Sequence, residues 1–404
     1  MVFRVAILFT MHLRKIILLS GICATFLLTN CKKSTVRQGG PSTPPEETCV
    51  QGAGLKNGDI VPGRYIISFN GTIYSRSMSA ARIRDISEEI LERNEVGNTS
   101  LKETFAGEPG GFVAQLSAEE AARIKSDDAV AIVEPDRIIS LATCFTVVEP
   151  RLVTWNITRV GYGEGTGKTA WIIDTGVDFE HPDLNVDANR SRSFLPGIAS
   201  ADDENGHGTH VGGIIAAKNN SFGTLGVASG ANLVSLRVLD KNGSGLLSYI
   251  IQALAYVNTN ALAGDVVNMS LGDEEGISAT LDQQVISTAA RGIYFSIAAG
   301  NEHDFANKFS PARVNGSNIY TVSAVDSLDN FASFSNYGND AIDYAAPGVR
   351  ILSTFHDNRY AYMSGTSMAA PHMAGLLLLK GNAITTSGTA RNDPDGVADP
   401  IAHY

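Results

Sequence analysis

The chain has 404 residues, a formal net charge of −11, 44% hydrophobic residues and 18% charged residues. That balance excludes an extensively disordered protein, and the acidic surplus argues against a nucleic-acid binder, which usually shows a basic face. The length exceeds one ordinary core, so two folded units plus a targeting segment are expected.

The N-terminus reads as an export signal. His12-Leu13-Arg14-Lys15 is a short basic region, and the apolar run from Ile16 to Leu28 is too short to span a bilayer comfortably. Met11 is an alternative start. The run closes at Leu28-Thr29-Asn30-Cys31. This resembles a bacterial lipoprotein cleavage box with Cys31 as the lipidated residue. Asn30 departs from the small residue usual there, and an ordinary secretory signal is the other reading. Either reading makes the protein exported, to a bacterial cell envelope or to the medium. The cysteines are Cys23, Cys31, Cys49 and Cys144. With the first in the signal and the second a lipid acceptor, Cys49 and Cys144 are left as a disulfide pair in an oxidising compartment, or as two free thiols.

Segment 32–60 holds Gly39-Gly40-Pro41-Ser42-Thr43-Pro44-Pro45 and reads as a flexible linker. Segment 61–142 reads as a small α+β domain. Arg64 to Phe69, Gly111 to Leu116 and Val130 to Asp136 have strand patterns. Ser79 to Arg93 has helical spacing, and Ser117-Ala118-Glu119-Glu120 has the pattern of a capping box. The domain at 150–404 alternates strands with helices. Strands are expected at 168–173, 231–238, 266–270 and 293–298, and helices at 207–217, 247–258 and 280–291. Such alternation predicts an α/β fold, a doubly wound parallel sheet covered on both faces. Gly161 to Thr169 looks like a phosphate loop, but Tyr162 stands where the first glycine is needed, so it reads as a surface turn.

Three segments carry chemistry. Asp174 ends a strand, His207 opens a helix, and Ser367 opens another after Ser364-Gly365-Thr366. A serine hydroxyl is a weak nucleophile at neutral pH and needs an adjacent base. Ser367 is the candidate nucleophile, His207 the base, and Asp174 the carboxylate that fixes the imidazole tautomer. In a doubly wound sheet these places share one edge. Alone, each has a structural reading, as a turn aspartate, a capping histidine or an N-cap serine. Their order and local settings together favour catalysis. Asn301 ends another strand at the same edge and can donate to an oxyanion beside the N–H of Ser367. His207 and His210 share a helix face, but no third ligand suits zinc.

The region from Trp155 to Lys380 resembles the subtilase family, in particular its proteinase K-like branch. The resemblance rests on the three catalytic blocks, Ala299-Gly300-Asn301, Arg237 to Gly245, Asn268 to Gly272 and Phe331 to Gly338. Segment 61–142 resembles the inhibitor-type propeptide of subtilases. The resemblance implies a subtilisin-like serine endopeptidase made as a self-processing zymogen, with its own propeptide as intramolecular inhibitor and a cut close to Ala142. It implies that Ser244-Gly245 and Ser270-Leu271-Gly272 flank an extended protein or peptide substrate. Ala298, Ala299 and Gly300 would line the primary specificity pocket. Asp273 stands where the family often has a second glycine, followed by Glu274 and Glu275. With Glu302 they suggest an acidic rim, less cleavage after acidic residues and some tolerance for lysine or arginine. No cofactor is required for chemistry, while relatives often hold structural calcium, here at Asp343 with carbonyls near Ser317 and Ile319. No nucleic acid is expected as a partner, and a membrane only through the lipid at Cys31. The tail after Gly381 is short, so no additional binding domain is expected.

Two other classes fit less well. A non-catalytic protein with a plugged cleft would lack a member of the triad. An esterase would show Gly-x-Ser-x-Gly and the order serine, acid, histidine.

Overall fold

The computed structural model describes residues 48–50, 56–75, 77–141, 143–147, 152–273 and 276–404, with 48–50 and 143–147 described as backbone. Cys31, Ala142, Glu274 and Glu275 lie outside the described residues.

The main sheet has the strand order 385–389, 400–403, 344–347, 319–325, 294–298, 266–269, 169–174, 232–237 and 192–193 among the described residues. Every pairing is parallel except the one between the first two strands. Strand 169–174 is buried along its whole length, as a strand covered on both faces must be. Helices cover the sheet on both sides, which makes the fold mixed α/β and doubly wound. On one face lie α5 (Leu247–Asn260) and α6 (Ala279–Ala289), packed on Trp171, Ile173 and Ile297. On the other lie α4 (His207–Ala216) and α7 (Thr366–Lys380), packed on Ala170, Ile172 and Val322. The short α3 (Trp155–Val160) precedes them.

The N-terminal domain carries α1 (Ala80–Arg93) and α2 (Ala118–Lys125). The capping box at Ser117 is formed: the Ser117 hydroxyl accepts from Glu120 N–H, and the Glu120 carboxylate accepts from Ser117 N–H. The domain's strands run in the order 130–140, 60–69, 111–115, 101–105. Strand 101–105 carries no clear alternation and is missing from the sequence reading. Successive residues point to opposite faces of this sheet. Ile67 and Phe112 pack on α1 and α2, while Ile66 and Val113 join the core around α5. The sheet is therefore sandwiched between its own helices and those of the second domain.

Two carboxylates fasten that contact. Glu134 and Asp136 are two apart on one strand and so share a face. Glu134 accepts from Ser278 Oγ at 2.8 Å and from the N–H groups of Ala279 and Thr280, at the start of α6. Asp136, fully buried, accepts from Ser248 N–H at 3.0 Å and Ser248 Oγ at 2.6 Å in the first turn of α5, and from Arg64 Nε at 2.7 Å. Both satisfy orphan N–H donors and meet the positive end of a helix dipole.

Two expected boundaries shift. Within the 32–60 linker, Thr48–Val50 is a strand, because it finds unpaired backbone on 143–147. Strand 143–147 in turn pairs with Arg359–Met363, so pairing with the peptidase part begins ahead of position 150.

In a full-length Ser367→Ala chain, Asp136→Ala leaves Arg64 paired with Glu103 alone and the Ser248 N–H without its acceptor, and should lower unfolding stability by about 1–3 kcal/mol. Glu134→Ala, half-exposed and acting as a cap, should cost about 1 kcal/mol. Urea midpoints of the two variants give the comparison. Equal losses would rule out the buried ion pair as the stronger hold.

Candidate active site

Asp174, His207, Ser367 and Asn301 lie where the strand ends and helix starts of the main sheet converge. Asp174 Oδ1 and Oδ2 stand 2.8 and 2.9 Å from His207 Nδ1, with all three atoms in fully buried side chains. The carboxylate therefore selects the Nδ1–H tautomer and leaves Nε2 with a lone pair. Such a close approach of α4 to the aspartate requires glycine at 208. A Cβ there would lie 2.0 Å from Gly176 O and 3.1 Å from Asp174 Cβ. His207 Nε2 is buried without a hydrogen-bond partner among the described residues.

Ser367 sits in the first turn of α7. Its hydroxyl donates to Ser270 O at 3.1 Å rather than to His207 Nε2. Ser270 returns a bond, its own hydroxyl donating to Ser367 O at 2.8 Å. Pro371 explains the second bond. In an α-helix the carbonyl of 367 accepts from the N–H of 371, and proline has none. Ser270 supplies the missing donor, and Asn268 Nδ2 holds Ser270 Oγ at 2.9 Å. Sequence reading assigned Ser270 to substrate contact alone. The signal for its second role was Pro371, four residues after Ser367.

Asn301 is exposed. Its Oδ1 accepts from Thr366 N at 2.9 Å and Thr366 Oγ1 at 3.1 Å. With the oxygen so held, Nδ2 is the end left for another acceptor. Ala298, Ala299 and Gly300 line a cavity together with Leu271, Thr366 and Ser367. Ser140 and Leu141 of the N-terminal domain line the same cavity.

Strand 130–140 runs on into this cleft. Ser140, Ile139 and Ile138 pair antiparallel with Ser244, Gly245 and Leu246. Leu141 N–H donates to Gly243 O at 2.8 Å. The ladder differs from the expected two-sided one. It forms on 243–246, whereas Gly272 O accepts from Asn57 Nδ2 at 3.0 Å. Gly245 also has a reason unseen in sequence. A Cβ there would strike Val238 O behind it, at 2.1 Å, rather than the incoming strand. Asp273 is buried, with its carboxylate 3.5 Å from Arg137 Nε of the same N-terminal strand. Glu302 accepts from Asn301 N–H and Asn336 Nδ2.

The other histidines of the region are structural. His210 Nε2 donates to Ile351 O and Ala361 O, and burial pushes its pKa down to about 3. His372 donates from Nδ1 to Met368 O and accepts at Nε2 from Asn156, and burial pushes its pKa down to about 4. Among the described residues no group of three or more His, Cys, Asp or Glu gathers as a metal site. Asp343 is a part-buried carboxylate whose pKa burial pushes up to about 6, opposed by one hydrogen bond from Thr321 N–H.

Ser270→Ala would leave the Ser367 carbonyl buried and unpaired, at a cost of about 1–3 kcal/mol. Ser270→Thr should recover part of it. Thermal unfolding of both variants in the Ser367→Ala chain reads this, and an unchanged melting temperature for Ser270→Ala would show that the carbonyl finds another donor.

Residues 165–390 match the model of the subtilase family, and residues 64–142 match that of the peptidase inhibitor I9 family. Among curated proteins, the chain is 36% identical to the alkaline serine exoprotease A of Vibrio alginolyticus, over 79% of this chain and 60% of that protein. It is 40% identical to an alkaline protease of Alkalihalobacillus alcalophilus, over 78% of this chain and 80% of that one. Among solved structures, a cold-adapted subtilisin-like serine proteinase aligns with a TM-score of 0.55 at 35% identity, covering 63% of this chain and 98% of that chain. With the subtilase match spanning more than half of the sequence, this chain belongs to the subtilase family and carries a peptidase inhibitor I9 domain ahead of its peptidase domain.

Proposed function

We propose that the protein is a subtilisin-like serine endopeptidase made as a zymogen, with Asp174, His207 and Ser367 as its triad. The observation that carries the reading is the chain's own segment 138–141, held as an added strand beside the pocket that contains Ser367. A peptide substrate would pair with 243–246 in the same way, main chain to main chain.

In this reading Ser367 Oγ turns from Ser270 O to His207 Nε2, gives up its proton and attacks the scissile carbonyl. The oxyanion that forms is met by Ser367 N–H and by Asn301 Nδ2. His207 returns the proton to the leaving amine, and water then hydrolyses the acyl-enzyme. Asp174 holds the ring at Nδ1 and stabilises the imidazolium. Segment 61–142 is the inhibitory propeptide, 150–404 the peptidase domain, and the cut falls close to Ala142. Leu141 lines the same cavity as Ser367, which supports a cut just beyond it. Residues 1–31 act as an export signal, with Cys31 lipidated if the signal is of the lipoprotein kind.

The mass of the purified full-length chain, followed over time, should fall to a species starting near residue 143. Ser367→Ala should stay uncut. Asn301→Ala should cut about 10²–10³ times more slowly. Hydrolysis of peptides by uncut wild type would mean that the N-terminal domain is not inhibitory.

Small walls at Ala298, Ala299 and Gly300 suit large apolar side chains, and Asp273 and Glu302 bring negative charge to the same cavity. Peptides with phenylalanine before the scissile bond should therefore be cut well, lysine tolerated and glutamate rejected. Equal rates for the three would remove the acidic-rim argument.

Calcium fits Asp343. Thr321 O accepts from Asp343 N–H, and carbonyls alternate along a strand, so Ile319 O faces the same side. A hard cation suits a part-buried carboxylate with carbonyl neighbours. Without one, the raised pKa means that folding favours the protonated acid. That stabilisation is complete below about pH 4, the unfolded value, and is lost as pH rises through about 6. Calcium should therefore raise the melting temperature at pH 8 and do little at pH 4, and Asp343→Asn should abolish the difference. A chelator that leaves the wild-type melting temperature unchanged at pH 8 would count against the site.

A further inference from the structure

Strand 48–50 lies upstream of the inhibitor domain, yet it pairs with 143–147, which follows the expected cut. The register sets Thr48 opposite Phe145, Cys49 opposite Cys144, and Val50 opposite Thr143. Directly opposed residues of an antiparallel pair have Cα atoms about 4.5–5.5 Å apart, inside the range that a disulfide spans. A slip of one residue would turn the two cysteines to opposite faces. Strand 143–147 is itself held on Arg359–Met363, the hairpin strand that leads into the turn before Ser367. The two cysteines of the chain that lie outside the signal and its lipid box are thus brought opposite one another across the processing junction.

We infer that Cys49 and Cys144 form a disulfide that keeps the cut propeptide tied to the peptidase, so that activation requires reduction of this bond or a second cut. The inference rests on the zymogen reading. Formation removes two thiol protons and two electrons. They pass to the disulfide of a thiol oxidoreductase in the export compartment, which is left as a dithiol. Cutting near Ala142 breaks the backbone between the halves, but Cys49 belongs to the upstream half and Cys144 to the downstream half. Cys49 lies seven positions ahead of Lys56, which begins the described run that leads into strand 60–69. A tether this short holds the domain at roughly millimolar effective concentration beside its cleft. Dilution then no longer removes the inhibitor, whereas an untethered propeptide held by Glu134, Asp136 and the 138–140 ladder can leave.

The test uses the full-length protein matured in an oxidising compartment. Unreduced peptide mapping of the uncut Ser367→Ala chain should yield a linked Cys49–Cys144 peptide. Free, alkylatable thiols at both positions would overturn the inference whether or not the wild type cuts itself. Wild type after self-cutting should run as one species unreduced and two reduced. Diluted about 100-fold, it should gain at least about tenfold in peptidase activity on adding a phosphine reductant. Cys49→Ser should show that higher activity without reductant, and Cys144→Ser serves if Cys49→Ser folds poorly. A linked peptide with no gain on reduction would overturn the latch. A wild type that stays uncut would overturn the latch together with the zymogen reading, while the linked peptide would still stand.

Discussion

Two carboxylates on one strand, aimed at the N-termini of two neighbouring helices, set the geometry on which the rest depends. Glu134 and Asp136 accept from backbone N–H groups at the starts of α6 and α5. They satisfy the first turns of α6 and α5, and they fix the height and direction at which their strand leaves the inhibitor domain. From Asp136 the chain needs only two more residues to reach Leu246. The β-ladder with 244–246 follows, and with it the delivery of Leu141 to the cavity. The Asp273–Arg137 pair lies along the same path and secures the strand before it enters the cleft.

Inside the peptidase domain the corresponding device is a missing hydrogen bond. Pro371 removes the donor that the Ser367 carbonyl would use, and Ser270 fills the place. The first turn of α7 is thereby tied to the end of strand 266–269, and Ser296 Oγ makes a similar bond to Ala370 O from the next strand. The helix that carries Ser367 is thus held by hydroxyls at its first turn, in addition to Met368, Met373, Leu376, Leu377 and Leu378 packed in the core. The first turns, with Ala369, Ala370 and Ala374 among them, are the small-residue part of the helix, and there the hydroxyl bonds act.

Much of this was legible beforehand. The helices at 207, 247 and 280 and the strands as far as 298 follow from hydrophobic period, and the box at Ser117 from four residues. Asp174, His207, Ser367 and Asn301 stood out because their neighbours are specific and glycine-rich. Other features were not legible because they depend on partners distant in sequence. Tyr344-Ala345-Ala346-Pro347 has little strand propensity and becomes a strand between 319–325 and 400–403. Thr48–Val50 lies in a segment whose composition reads as coil, and its strand exists because 143–147 offers a free edge. The role of Asp136 could not be read without knowing that Ser248 would sit above it. The bond from Asn57 to Gly272 joins residues more than two hundred positions apart.

The sheet of the inhibitor domain is completed by a strand from the other domain. Were the N-terminal domain to leave, 244–246 would become an edge with unsatisfied N–H and C=O groups. Such an edge asks little of a partner's side chains and much of its backbone, which must be extended and free on one side for several residues. Few segments of a natively folded protein meet that condition, because their strands are already paired and their helices are closed. An enzyme built on this edge would discriminate between conformations before it discriminates between sequences. The rate at which it cut a protein would then follow the fraction of time that protein spends locally open.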